Sequence, residues 1–218
     1  MLWSPRTSLI TTLLCAAFCA PAVPAVAGSM LDVGDEAPAF MLYAYNEDQA
    51  RRASDDTAPS LGNFLGVSPE KPKDAVLLVF MDKRASSSDE LEMLAKMQRK
   101  YGSTGRGLQV VVVGIAGQTV DINEVLQGAR GVNFPVLRDR FRIVADRYGV
   151  DQGAAPVAFL LVGQNPDTEL EAAEEAAMKD VLTNREAEWR VEIKARWTGE
   201  LLLSEEAMAR SIEGVVGR

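Results

Sequence analysis

Few side chains here could act as nucleophiles, and their neighbours decide what they can do. Ser86-Ser87-Ser88 is a run of three hydroxyls, with Lys83 just ahead of it in the chain. A serine nucleophile needs a base to take its proton, and a lysine serves only when burial lowers its pKa. The 218 residues contain no histidine, which removes Ser-His-Asp and Cys-His catalysis and nearly every transition-metal site. Capping of a helix start explains the serines without catalysis. Asp82, Asp89, Glu90 and Glu92 could gather around a hard cation, but they follow no known calcium-loop spacing and read as a solvated acidic face. Neither a metal nor a cofactor is expected. The two cysteines, Cys15 and Cys19, both lie near the N-terminus.

That N-terminus reads as an export signal. Arg6 supplies a positive start, Leu9 to Phe18 is a short apolar stretch, and Ala25-Val26-Ala27 before Gly28 has the A-x-A form of a cleavage site. The stretch is about half of what a spanning helix needs, so no stable membrane span is expected after its removal. A lipidated cysteine needs a small residue before it, but Leu14 and Phe18 stand there, which argues against lipidation at Cys15 or Cys19. Residues 1–27 are therefore assigned to the signal, 28–218 to the mature domain, and the location to the periplasm or the exterior. The mature chain would hold no cysteine, and its charge would be 22 basic minus 31 acidic residues, or −9, against −8 for the whole chain. So acidic a protein is a poor match for nucleic acid.

The positioning elements follow from hydrophobic patterning. Residues 32–45 read as an extended opening segment and 46–59 as a polar loop. Ala75 to Met81, Leu108 to Ile115 and Pro156 to Val162 are apolar runs of buried-strand type. Ser86 to Tyr101 reads as a helix capped by Ser87 with Glu90 reaching back, and Gly102 stops it. Asp121 with Glu124 opens another short helix, Phe134 to Leu137 is a short strand and Asp139 to Tyr148 a helix. Glu188 to Leu202 alternates as a half-exposed strand does, and a helix closes the chain from Glu205 to Val216. Strands alternating with helices predict one α/β three-layer sandwich.

Several segments, in order, resemble the thioredoxin-like superfamily, especially its redoxin and peroxiredoxin branch. They are Val33-Gly34-Asp35-Glu36-Ala37-Pro38-Ala39-Phe40, Ser60-Leu61 to Gly66, Phe134-Pro135-Val136-Leu137-Arg138-Asp139, and Tyr148-Gly149-Val150 followed by Pro156 and Phe159-Leu160. The resemblance runs from about Leu31 to Gly217 and implies a central mixed β-sheet with flanking helices. It also implies a cis peptide bond before Pro156, whereas X-Pro bonds in general are cis in only about 5–6% of cases.

The departure falls on the chemistry. In that family a thiolate sits at the start of the helix after the second strand, where the helix dipole lowers its pKa. Counted as a C-x-x-C loop, Ala85 and Ser88 occupy the cysteine positions; counted as a peroxiredoxin loop, Ser88 or Asp89 takes the reactive place. No sulfur is present on either count, so thiol redox catalysis is excluded for a mature chain. What the resemblance leaves is a shallow groove for an extended peptide, with Arg84, Ser86, Ser87, Ala155 and Pro156 as its candidate residues and strand addition at Ala155 as its mode.

An acidic insertion at about 166–188 is the other departure. Thr168 with Glu171 forms a capping box, and an Ala/Glu-rich helix is expected to about Leu182. Seven acidic residues face two basic ones between Thr168 and Glu188. Glu171, Glu174 and Glu175 are the candidate docking residues for a basic partner, against a solvated insertion that serves solubility. Three functions stay open: a non-catalytic binding or assembly module using the proline-loop groove, a redoxin-type oxidoreductase, and a subunit held through the insertion. A protein or extended-peptide partner is expected; the oligomeric state is left open.

Overall fold

Ala75–Met81 (β1) and Leu108–Ile115 (β2) are buried at every position, as strands are when both faces of their sheet are covered. The computed structural model describes residues 29–66, 71–82, 88–102, 106–116, 131–151, 153–164 and 190–216. β2 lies parallel to β1, and Val136–Asp139 (β3) lies parallel to β2. Val157–Gln164 (β4) and Arg190–Thr198 (β5) complete the sheet as antiparallel strands, in the order β3-β2-β1-β4-β5.

Alternation along the strands sends side chains to two cores. Leu77, Val79, Val110, Val112, Ala158 and Leu160 meet the helix Ser88–Tyr101 and the C-terminal helix Glu205–Glu213. Leu78, Phe80, Val111, Val113, Phe159 and Ile193 face the helices Glu47–Ser54, Gly62–Leu65 and Ile143–Arg147. The helices among the described residues are α1 (Glu47–Ser54), α2 (Gly62–Leu65), α3 (Ser88–Tyr101), α4 (Ile143–Arg147) and α5 (Glu205–Glu213), and a 3-10 turn, Leu201–Ser204, precedes α5. This is the expected three-layer α/β sandwich around a mixed sheet.

Three local expectations are corrected. Residues 46–59, read as a loop, contain α1, which buries only Ala50, Ala53 and Ser54 and so shows almost no apolar stripe. Its end is held from outside: Lys71 Nζ donates to the carbonyls of Arg51 (3.2 Å) and Arg52 (2.8 Å) and pairs with Asp55 at 2.8 Å. β3 runs two residues beyond the expected 134–137, and the helix expected at 139–148 shortens to α4. The cause is Asp139, the last residue of β3, whose Oδ2 accepts the N–H groups of Val144 (2.9 Å) and Ala145 (2.8 Å). It caps the helix from the strand before it. The strand expected at 188–202 ends at Thr198, where the chain turns at Gly199 into the 3-10 turn.

Burial, only partly offset by these backbone bonds, raises the Asp139 pKa above the usual carboxylate value. The stability contributed by this group is therefore full below pH ~4 and declines as pH rises through the elevated folded pKa. Asp139→Ala, which strands two buried N–H groups, is expected to cost about 1–3 kcal/mol in urea unfolding. Asp139→Asn keeps an acceptor and should cost less; equal losses would show that the cap contributes nothing.

Candidate functional site

The strand order brings two chain segments together at the C-terminal end of β1. Phe80 pairs with Val157 across β1 and β4, which sets Pro156 beside the exit of β1. The Ala155–Pro156 bond is cis, as the resemblance implied. Pro156 is buried, and its carbonyl accepts the Gly199 N–H at 3.1 Å, fastening the loop to the end of β5. Ala155 is half-buried, and its N–H and C=O enter no hydrogen bond among the described residues.

On the other side of β1, the described part of α3 opens with Ser88, Asp89 and Glu90; the expected cap, Ser87, lies outside the described residues. Asp89 is exposed, whereas Glu90 is buried. The Glu90 Oε1 atom accepts the Leu201 N–H at 3.2 Å, which ties the first turn of α3 to the 3-10 turn after β5. Sequence reasoning placed Glu90 in a capping box and among surface carboxylates; its burial was missed. Trp197 and Gly199 were missed as well: Trp197 pairs with Ala158, two residues beyond Pro156. Behind the site Phe80, Tyr148 and Phe159 form a ring cluster with centroids 5.2–6.0 Å apart.

Of the groove candidates, the structure thus places Ala155 and Pro156 at the same end of the sheet as Ser88 and Asp89. Arg84, Ala85, Ser86 and Ser87 lie outside the described residues, as do residues 1–27, the capped helix at Asp121 and the insertion with Glu171, Glu174 and Glu175. Burial pushes the amine of Lys73 down, but Lys73 precedes β1 at the far end of the sheet. It cannot serve as a base for Ser88. Among the described residues no three carboxylates converge into a metal site, and no helix is long and apolar enough to cross a membrane.

A parallel core with two antiparallel strands, helices on both faces and a cis-proline loop beside the start of α3 is the thioredoxin-like fold. Solved structures share it. A candidate protein disulfide isomerase from Bacteroides thetaiotaomicron superposes with a TM-score of 0.55 at 13% identity, over 88% of this chain and 94% of its own. The C-terminal domain of a candidate thiol-disulfide oxidoreductase from the same organism gives 0.51 at 15% identity, over 85% and 96%. The peroxidoxin BcpB of Mycobacterium tuberculosis gives 0.50 at 16% identity, over 85% and 98%. At such identities the likeness is one of fold. No family model and no curated protein matches the chain.

Proposed function

We propose that the protein is an exported thioredoxin-fold module that binds or assembles with a partner through the cis-proline loop and carries no thiol redox chemistry. The observation behind this reading is the pairing of two features at one place. Among the described residues the Ala155 backbone enters no hydrogen bond, and residues 28–218, which include the adjoining loop, contain no cysteine. An unpaired backbone edge beside a groove can add an extended peptide as a further strand, and needs no sulfur to do so. Export is supported by the signal pattern of residues 1–27. It fits the structure in one respect: the first anchoring bond of the described chain, from the Leu31 N–H to the Tyr148 carbonyl (3.2 Å), survives removal of that segment.

Oxidoreductases among the structural neighbours raise the redox alternative. It would need Cys15 or Cys19 to be retained and brought to the loop. The purified, processed protein is expected to show no dithiothreitol-driven insulin reduction and no peroxide consumption above buffer; turnover in either assay overturns the non-redox reading. Photo-crosslinking in the native cell from position 87 should capture a discrete partner. Silence at 87 with capture from position 175 would move the binding surface to the acidic insertion.

A further inference from the structure

A second surface lies at the corner where β3 passes into α4. Met41, Tyr43, Phe141 and Ile143 are large apolar side chains left 57–74% exposed. The backbone sets them side by side. Ala44 bridges Leu137, and the Arg138 N–H donates to the Tyr43 carbonyl at 3.0 Å, so residues 41–44 run antiparallel beside β3. Arg147, one turn past Ile143 on α4, reaches back to the Ala39 carbonyl at 3.2 Å. Met41 and Tyr43 therefore border the same corner as Phe141 and Ile143.

Cations rim this corner. The Arg138 guanidinium stands 5.2 Å from the Tyr45 ring centroid, and that of Arg140 stands 5.7 Å from the Phe141 centroid. Among the described residues, Arg138, Arg140 and Arg147 have no carboxylate within ion-pair distance. Exposed apolar area with a charged rim marks an interaction surface, and aromatic residues with arginine are what interface centres enrich. In a chain of net charge −8, cations with no carboxylate beside them among the described residues call for an acidic complement.

That complement is written into the chain. Residues 168–188 carry seven carboxylates against two cations, interleaved with Leu170, Met178, Val181 and Leu182. Gln164 pairs with Arg190, so the stretch leaves the sheet between β4 and β5. β4 is antiparallel to β1, whereas β3 shares the direction of β1 through β2. The stretch therefore departs from the end opposite to Phe141, and three strands across. With about 4.8 Å between strands and about 3.3 Å per residue, the Gln164 end of β4 and the Phe141 corner stand on the order of 30 Å apart. Complementary charges on two parts of one chain build head-to-tail association when each meets its complement on another copy.

We propose that the Met41–Tyr43–Phe141–Ile143 corner, with Arg138, Arg140 and Arg147, docks the acidic 168–188 stretch of a second copy of this chain. This goes beyond the groove reading and does not rest on it.

Sedimentation velocity tests it, on protein expressed from the full-length gene, over about a hundredfold range of concentration at low and high salt. The wild type is expected to sediment faster as concentration rises at low salt and to revert at high salt. Arg138→Glu/Arg140→Glu/Arg147→Glu should weaken association at least tenfold, and so should Glu171→Lys/Glu174→Lys/Glu175→Lys. An equimolar mixture of the two charge-reversed proteins should associate again, because the acidic corner of one now meets the basic stretch of the other. A monomer at every concentration overturns the proposal, as does association that survives either reversal or a mixture that stays monomeric. Binding of a monomeric wild type to phosphatidylglycerol vesicles, lost in the arginine variant, would overturn it in favour of an anionic bilayer.

Discussion

Tyr148→Ala is expected to lower the unfolding free energy by about 3–5 kcal/mol, the usual loss for a buried aromatic, and to leave little of a stability that is commonly about 5–15 kcal/mol. Tyr148 is fully buried, with its ring against Phe80 and Phe159 at 5.2 and 5.3 Å between centroids. Its hydroxyl donates to the Pro38 carbonyl at 3.0 Å, and its own carbonyl receives the Leu31 N–H at 3.2 Å. One side chain thus joins β1, β4 and the N-terminal segment. Gly149 completes the junction: its φ is +65°, and a Cβ there would lie 2.5 Å from the Met30 Cα. Urea unfolding at neutral pH checks the alanine variant; a loss below about 1 kcal/mol would show that the ring cluster does not hold the segment.

Tyr148→Phe separates the ring from the hydroxyl. Loss of one hydrogen bond should cost about 1 kcal/mol at pH 7. Burial keeps the Tyr148 hydroxyl protonated far above the usual tyrosine range. Its contribution is therefore complete below pH ~10, where a tyrosine in the unfolded chain begins to ionise, and is lost as pH rises above that point at about 1.4 kcal/mol per unit. Phenylalanine carries no such dependence. The gap between wild type and Tyr148→Phe should close near pH ~11; a constant gap would mean that Tyr148 ionises in the folded protein as freely as in the unfolded one.

Much of this architecture is legible because it rests on continuous apolar runs. Ala75–Met81 and Leu108–Ile115 announce buried strands, since every side chain must meet one of two covered faces. What escaped depends on contacts between distant residues. α1 buries two alanines and a serine, so its sequence resembles a polar loop, and a lysine from another segment fastens its end. Asp139 reads as the first residue of a helix in sequence; only the strand register shows that it belongs to β3 and caps that helix from there. At the candidate site the cis bond followed from the resemblance. The buried Glu90 did not, because its partner is Leu201, far along the chain. The arginine-rimmed corner could not be read either: Met41, Tyr43, Phe141 and Ile143 are adjacent only once the 41–44 segment lies along β3.

Ala85→Cys/Ser88→Cys is expected to gain dithiothreitol-driven insulin reduction at least tenfold above the parent, from a chain with no sulfhydryl between residues 28 and 218. The described part of α3 starts at Ser88, and the N–H groups of a helix's first turn have no partner within the helix. Those groups and the helix dipole lower a thiol pKa from its usual ~8.5, while the exposed Asp89 and the buried Glu90 oppose them. Asp89→Asn added to the pair should raise the rate further. With no dithiothreitol present, either reduced cysteine variant alone should attack a disulfide and stop at the mixed disulfide, because the protein holds no second thiol to release it. The outcome bears on more than redox chemistry. Exchange at position 88 requires a substrate strand to lie against Ala155 and Pro156, the same approach that a non-catalytic partner would use. A folded double variant with two titratable thiols and no activity would show that extended peptides no longer reach this loop, and the groove would lose its claim as the recognition surface.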